Sequence, residues 1–167
     1  MRRRHLLRAM GASATLGVAG CIGGGSKIVT NVQRDVSVTP GTGWVQKIPD
    51  VSEHGGAIQY SVRAKKPFDV YFFVGESQYL AYDDFTDGTE PPETPFGDAS
   101  VGTSAEEESN TYVASTTEDG AREPIEGTGP YYFVVDHSAY LGRTPPKEHG
   151  GPLKAFVDLT VTKKRFL

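Results

Sequence analysis

From Lys27 onward, apolar and polar residues alternate with the two-residue period of strands rather than the 3.6-residue period of helices. Ala57 to Ala64 is the clearest case: Ile58, Tyr60, Val62 and Ala64 fall on one side, and Gln59, Ser61, Arg63 and Lys65 on the other. This pattern predicts an antiparallel strand with one face on a core and one in water. Leu153 to Lys163 repeats it, with Ala155, Val157, Leu159 and Val161 against Asp158, Thr160 and Thr162. Lys27 to Val38 carries Val32, Val36 and Val38 at even spacing and is rich in β-branched residues, which pack well on a pleated surface. No segment shows a sustained helical period.

Two stretches are apolar without alternation. Phe68 to Val74 reads as a central strand buried along most of its length, and the aromatic, β-branched run within Gly127 to Ser138, between a glycine-rich lead-in and an Asp-led turn, as the second central strand. Trp44 to Ile48 is a short strand between Pro40-Gly41-Thr42-Gly43 and Pro49, with Trp44 expected as a core or rim anchor. Tyr79 to Phe85, after the turn Gly75-Glu76-Ser77, reads as a partner strand. Tyr112 to Thr117 and Arg122 to Ile125 read as two more, joined by a hairpin turn at Glu118-Asp119-Gly120. From Thr86 to Asn110 the pattern dissolves into a long acidic loop, with Glu106-Glu107-Glu108 as a solvated charge run. The sum is about eight strands with turns between them, so the expected fold is an all-β antiparallel sandwich over residues 27–167.

The N-terminus has a different character. Arg2, Arg3, Arg4 and Arg8 precede an apolar and small-residue stretch, Leu6 to Val18, that holds no acidic residue. This is the build of a secretory signal, and the stretch is too short to span a membrane. Residues 1–20 are therefore expected to be an export signal. Arg3-Arg4-His5-Leu6-Leu7-Arg8 resembles the twin-arginine export motif, with Leu6 where an aromatic residue is usual. Val18-Ala19-Gly20-Cys21 resembles a lipobox, and the resemblance implies a lipid on Cys21, the one cysteine of the chain. Residues 21–26 then form a Gly/Ser linker between a lipid anchor and the sandwich, flexible by composition.

Charge narrows the partners. The chain has 17 basic against 21 acidic residues, and loss of the four signal arginines leaves 13 against 21. A net negative domain lacks the basic face that phosphate binding needs, which argues against nucleic acid. The expected partners are the membrane, through Cys21, and a protein at the cell surface. In style the whole resembles the surface lipoproteins of halophilic archaea.

The layout from Ala57 to Lys163 also resembles the GOLD-type, emp24-like β-sandwich. The matching features are Ile58-x-Tyr60-x-Val62, Asp69-Val70-Tyr71-Phe72-Phe73 followed by Tyr79-x-x-Tyr82, Gly127-x-Gly129-Pro130-Tyr131-Tyr132-Phe133-Val134-Val135-Asp136, and the alternating terminal strand. His137 stands where the family often has Asn. The resemblance implies an interaction or ligand-recognition module without catalytic residues.

Rival readings are a metal site and a secreted hydrolase. His54, His137 and His149, two of them in similar Glu-His-Gly-Gly loops, could form a copper or zinc site if the fold brought them together. Asp83, Asp84 and Asp87, with Glu90, could supply oxygens to calcium, although their spacing does not match an EF-hand. A secreted hydrolase would need a pocket joining acids such as Asp136 and Glu148, and no Gly-x-Ser-x-Gly elbow is present. No cofactor motif is found, because Gly127-x-Gly129 precedes a strand and not a helix. The expectation is therefore a lipid-anchored, extracytoplasmic binding module that is not an enzyme.

Overall fold

The two stretches with the cleanest alternation pair with each other. In a computed structural model that describes residues 25–88, 100–116, 121–140 and 150–165, β3 (Gly56–Ala64) lies antiparallel to β10 (Leu153–Lys164), with Ala64 opposite Ala155 and Gly56 opposite Lys163. β10 also pairs along its length with β1 (Ser26–Val38). Ile58, Val62, Val157, Leu159 and Val161 are buried on one face, while Gln33 and Asp158 meet on the other. Full burial of each such aliphatic side chain contributes about 1.5–3 kcal/mol. Export motif, Cys21, Glu90, Glu148 and His149 lie outside the described residues.

The second sheet holds the two continuous apolar stretches at its centre. Its order is β2 (Gly43–Ile48), β9 (Tyr131–Asp136), β4 (Asp69–Val74) and β5 (Val101–Ser104). The turn Thr39–Thr42 carries the chain from β1 in one sheet to β2 in the other, closed by the Thr42 amide on the Thr39 carbonyl at 3.1 Å. Ile48, Val70, Phe72, Tyr131, Phe133 and Val135 face the first sheet and form one core with it. All strand pairs are antiparallel, so the predicted all-β sandwich is the fold.

Three expectations need correction. Tyr79 to Phe85 is not a strand: it belongs to the helix α1 (Glu76–Thr86). Gly75, at a φ of 87°, turns the chain out of β4 into the helix, and Glu76 suits the positive end of the helix dipole. Tyr79, Tyr82 and Phe85 recur at three-residue spacing and so share one helical face. That face covers the outer side of the second sheet, where Tyr71, Phe73, Tyr132 and Val134 form a second core with Tyr82 and Tyr140. Leu80, which alternation would bury, is 47% exposed. β4 and β9 are thus apolar on both faces because both faces are covered.

The segment Thr86 to Asn110 is also more ordered than composition suggests. β5 is followed at once by β6 (Glu106–Glu108), and the two belong to different sheets. The chain crosses between sheets at Ala105, whose amide donates to the Phe68 carbonyl at 2.9 Å. Glu106 to Glu108 are exposed as expected, yet they pair with β7 (Thr111–Ser115) through a tight turn at Ser109 and Asn110, both at positive φ.

Finally, β7 and β8 (Glu123–Ile125) are not a hairpin. Both run antiparallel to the same strand, β7 beside Ser61–Ala64 and β8 beside Gly56–Ile58. They are one interrupted strand. The gap begins where the Thr116 amide bonds the Tyr60 carbonyl at 3.2 Å, and the Thr116 hydroxyl donates across it to the Ala121 carbonyl at 2.6 Å.

Candidate functional site

Among the described residues, the main core is open at one margin, beside β7 and β8. β5 is, among the described residues, the edge of its sheet, and its pairing sets Val101 opposite Phe72 and Thr103 opposite Val70, both core-facing partners. Val101 and Thr103 therefore project towards the inter-sheet space, yet Val101 is 56% exposed because nothing in the described residues covers it. Across from them β8 sets Glu123 opposite Ile58, again a core-facing position. Between these margins lies a cleft of about 280 Å³. Ile58, Tyr60, Val70 and Phe72 form its floor, and Glu123, Ile125 and Glu126 form one wall.

The cleft has an apolar base and a polar rim. The Tyr60 ring packs at 5.0 Å on Phe133, and Phe72 stacks at 5.5 Å on Tyr131, which holds both floor rings in place. Burial, the largest cause, raises the Tyr60 phenol, with Glu123 adding to it and a hydrogen bond with Thr103 opposing it. Tyr60 thus stays a neutral donor and acceptor at the mouth. Among the described residues, the charged groups that line the cleft are Glu123 and Glu126, and Ser115 and Thr116 add hydroxyls to the same lining. The arrangement can bind, with an apolar floor and polar groups at its rim.

A second polar group is buried beneath α1. Asp136, 1% exposed, receives the Tyr82 hydroxyl at 2.7 Å, the Ser138 hydroxyl at 2.7 Å and the Ser138 amide at 3.2 Å, all on Oδ1. Its Oδ2 has no partner. Burial, above all, lifts its carboxyl to about 7, and the neighbouring Asp69, its register partner on β4, adds to the rise. The Tyr82 hydroxyl reaches it across Gly43, where a Cβ would sit 2.0 Å from the phenol oxygen. Sealed under aromatic rings, Asp136 fastens the helix to the sheet and offers no open acid to a substrate.

The candidate metal ligands are dispersed. His54 follows β2 at the end of the sheet where Ile48 faces Tyr131, whereas His137 follows Asp136 at the opposite end. His137 is not a surface residue: it is 2% exposed, and its Nε2 donates to the Gly151 carbonyl at 3.1 Å, leaving a buried Nδ1 without a partner. A carbonyl can only accept, which fixes the proton on Nε2. Asp83 and Asp84 sit in α1 and Asp87 caps its end, so they do not form the loop that calcium would need. Asp83 instead accepts from the Tyr79 hydroxyl at 3.2 Å. Among the described residues, no group of three or more His, Cys, Asp or Glu is placed to hold a metal ion.

Sequence reasoning missed Val101, Thr103 and Glu123. Their roles come from the strand each one pairs with, and only the period-two relation of Glu123 to Ile125 was visible beforehand. No family model, no curated protein and no solved structure matches the chain.

Proposed function

We propose that this chain is an extracytoplasmic, lipid-anchored binding module that takes a small ligand between its two sheets and performs no chemistry on it. The observation that carries the reading is the cleft at the open margin of the sandwich, a cavity of about 280 Å³ with an apolar floor and convergent polar groups. That size suits a small molecule. The anchoring half of the reading rests on the basic and apolar layout of residues 1–20 and the lipobox-like Val18-Ala19-Gly20-Cys21. The sequence resemblance of the Ile58–Val62, Gly127–Asp136 and terminal strands to GOLD-type sandwiches, in which the helical Tyr79–Tyr82 stretch takes no part, favours recognition in place of catalysis.

Two measurements test it. Membrane fractionation of cells making the full chain should find it with the membrane, and Cys21→Ser should release it to the medium or the soluble fraction; an unchanged distribution would remove the anchor from the reading. Titration with 1-hexanol, followed by the chemical shifts of Tyr60 and Val101, should show saturable binding that Val101→Trp abolishes by filling the mouth. Shifts that do not saturate would sink the cleft as a site.

A further inference from the structure

The rim of the cleft is charged on one side only, and that asymmetry identifies a class of ligand. We infer that the cleft selects small organic cations, an ammonium group on a short aliphatic or aromatic body. This deepens the binding reading above and rests on it.

The argument begins with register. Glu123 lies opposite Ile58, whose side chain is buried in the main core, so the pleat directs Glu123 to the core side of the sheet. A carboxylate in a core-facing position is costly unless it reaches water or a cation. Glu123 reaches water at the mouth, where it is exposed and within electrostatic range of the Tyr60 phenol. Glu126 lines the same wall. No lysine or arginine of the described residues forms an ion pair with either.

Below the carboxylates lie two aromatic rings, Tyr60 and Phe72. Ring faces attract a cation held within about 6 Å of them. An ammonium at the rim would meet Glu123 and Glu126, its proximal carbons would pass over Tyr60 and Phe72, and its tail would cover Ile58 and Val70. An anion of the same shape would meet like charge. A neutral molecule would gain only the apolar contact.

The test titrates the full chain with n-hexylammonium, 1-hexanol and hexanoate in turn, at one ionic strength, by chemical shift or calorimetry. The expected order is hexylammonium first, hexanol roughly five to ten times weaker, and hexanoate weakest. Glu123→Gln should lower the preference for hexylammonium, and Glu123→Gln combined with Glu126→Gln should bring it down to the affinity of hexanol. Glu107→Gln, on a strand away from the cleft, removes the same charge from the whole chain and should leave the ratio intact. Hexanol binding as well as or better than hexylammonium overturns the cation inference while the binding module stands. A preference that survives Glu123→Gln combined with Glu126→Gln, or is lost equally in Glu107→Gln, also overturns it, since the field of the whole acidic domain would then be the cause. Failure of all three probes to bind takes down both readings.

Discussion

The two faces of the second sheet carry apolar side chains from the same strands, yet they are closed in different ways. On the inner face, Val70, Phe72, Phe133 and Val135 meet Val62, Val157 and Leu159 of the first sheet, and the contact is almost wholly hydrocarbon. On the outer face, Tyr71, Phe73, Tyr132 and Val134 meet Tyr82 and Tyr140, and a carboxylate sits among the phenols. The ring pairs there lie between 4.1 Å, for Tyr79 on Tyr132, and 6.5 Å, for Phe73 and Tyr79. A core that holds no buried acid is little affected by pH near neutrality. A core of phenols closed around an acid is not, and this makes the helical layer the one whose stability conditions can change.

The largest expected effect lies on the inner face. Phe133→Ala, at a site with 0% exposure, should cost about 3–5 kcal/mol in denaturant unfolding, with both layers lost in one transition. If the helix melted separately and the sheets persisted, the main core would not be the common support that the contacts describe.

Next is the pH response of the outer face. The Asp136 carboxyl is raised from 3.8 to about 7, so it holds its proton more tightly in the folded chain than in the unfolded one. Its contribution is full below about pH 4 and is lost as pH rises through about 7. A shift of this size is worth at most on the order of 4 kcal/mol. Melting temperatures of Asp136→Asn across this window should fall less steeply than those of the unsubstituted chain; parallel curves would mean that Asp136 does not titrate there.

Gly43→Ala should come third, at about 1–3 kcal/mol. The added methyl would lie 2.0 Å from the Tyr82 hydroxyl and 2.9 Å from Val134, so Tyr82 must leave Asp136. Near-ultraviolet circular dichroism should lose tyrosine signal while the far-ultraviolet strand signal stays. An unaltered near-ultraviolet spectrum would contradict the close approach.

The smallest effect belongs to Asp50, an exposed carboxylate with the opposite sign. Backbone donation from Gly129 is the largest cause that holds it down at about 2, with the Ser52 amide and hydroxyl next. Its contribution is present above about pH 4 and fades as pH falls towards 2. Asp50→Ala should therefore lower the melting temperature slightly at pH 7 and not at all at pH 2, since solvent screens so open a site.

Strands with one wet face were legible because alternation of Ile58, Tyr60, Val62 and Ala64 against polar residues records burial directly. α1 was not, because Tyr79, Tyr82 and Phe85 are residues that strands also favour, and a helical stripe of three in so short a segment is too brief to outweigh that preference. β5 and β6 escaped for a different reason. Val101-Gly102-Thr103-Ser104 and Glu106-Glu107-Glu108 carry no alternation, and their strand form is imposed by the backbone groups of β4 and β7. The cleft and the Tyr82–Asp136 fastening join residues far apart in the chain, Val101 with Glu123 and Gly43 with Tyr82 and Asp136. Pairing partners of that kind leave no mark in a single segment.

The place of β10 bears on the order in which the molecule is made. It lies between β1 and β3, so the first sheet has no centre until Leu153–Lys164 has been synthesised. β1, the first of the described strands to be made, then waits for β10 before its ladder can form. Such distant pairing makes for slow folding, on the scale of milliseconds to seconds, and the nascent chain must keep the apolar face of β3 from other partners through most of its translation.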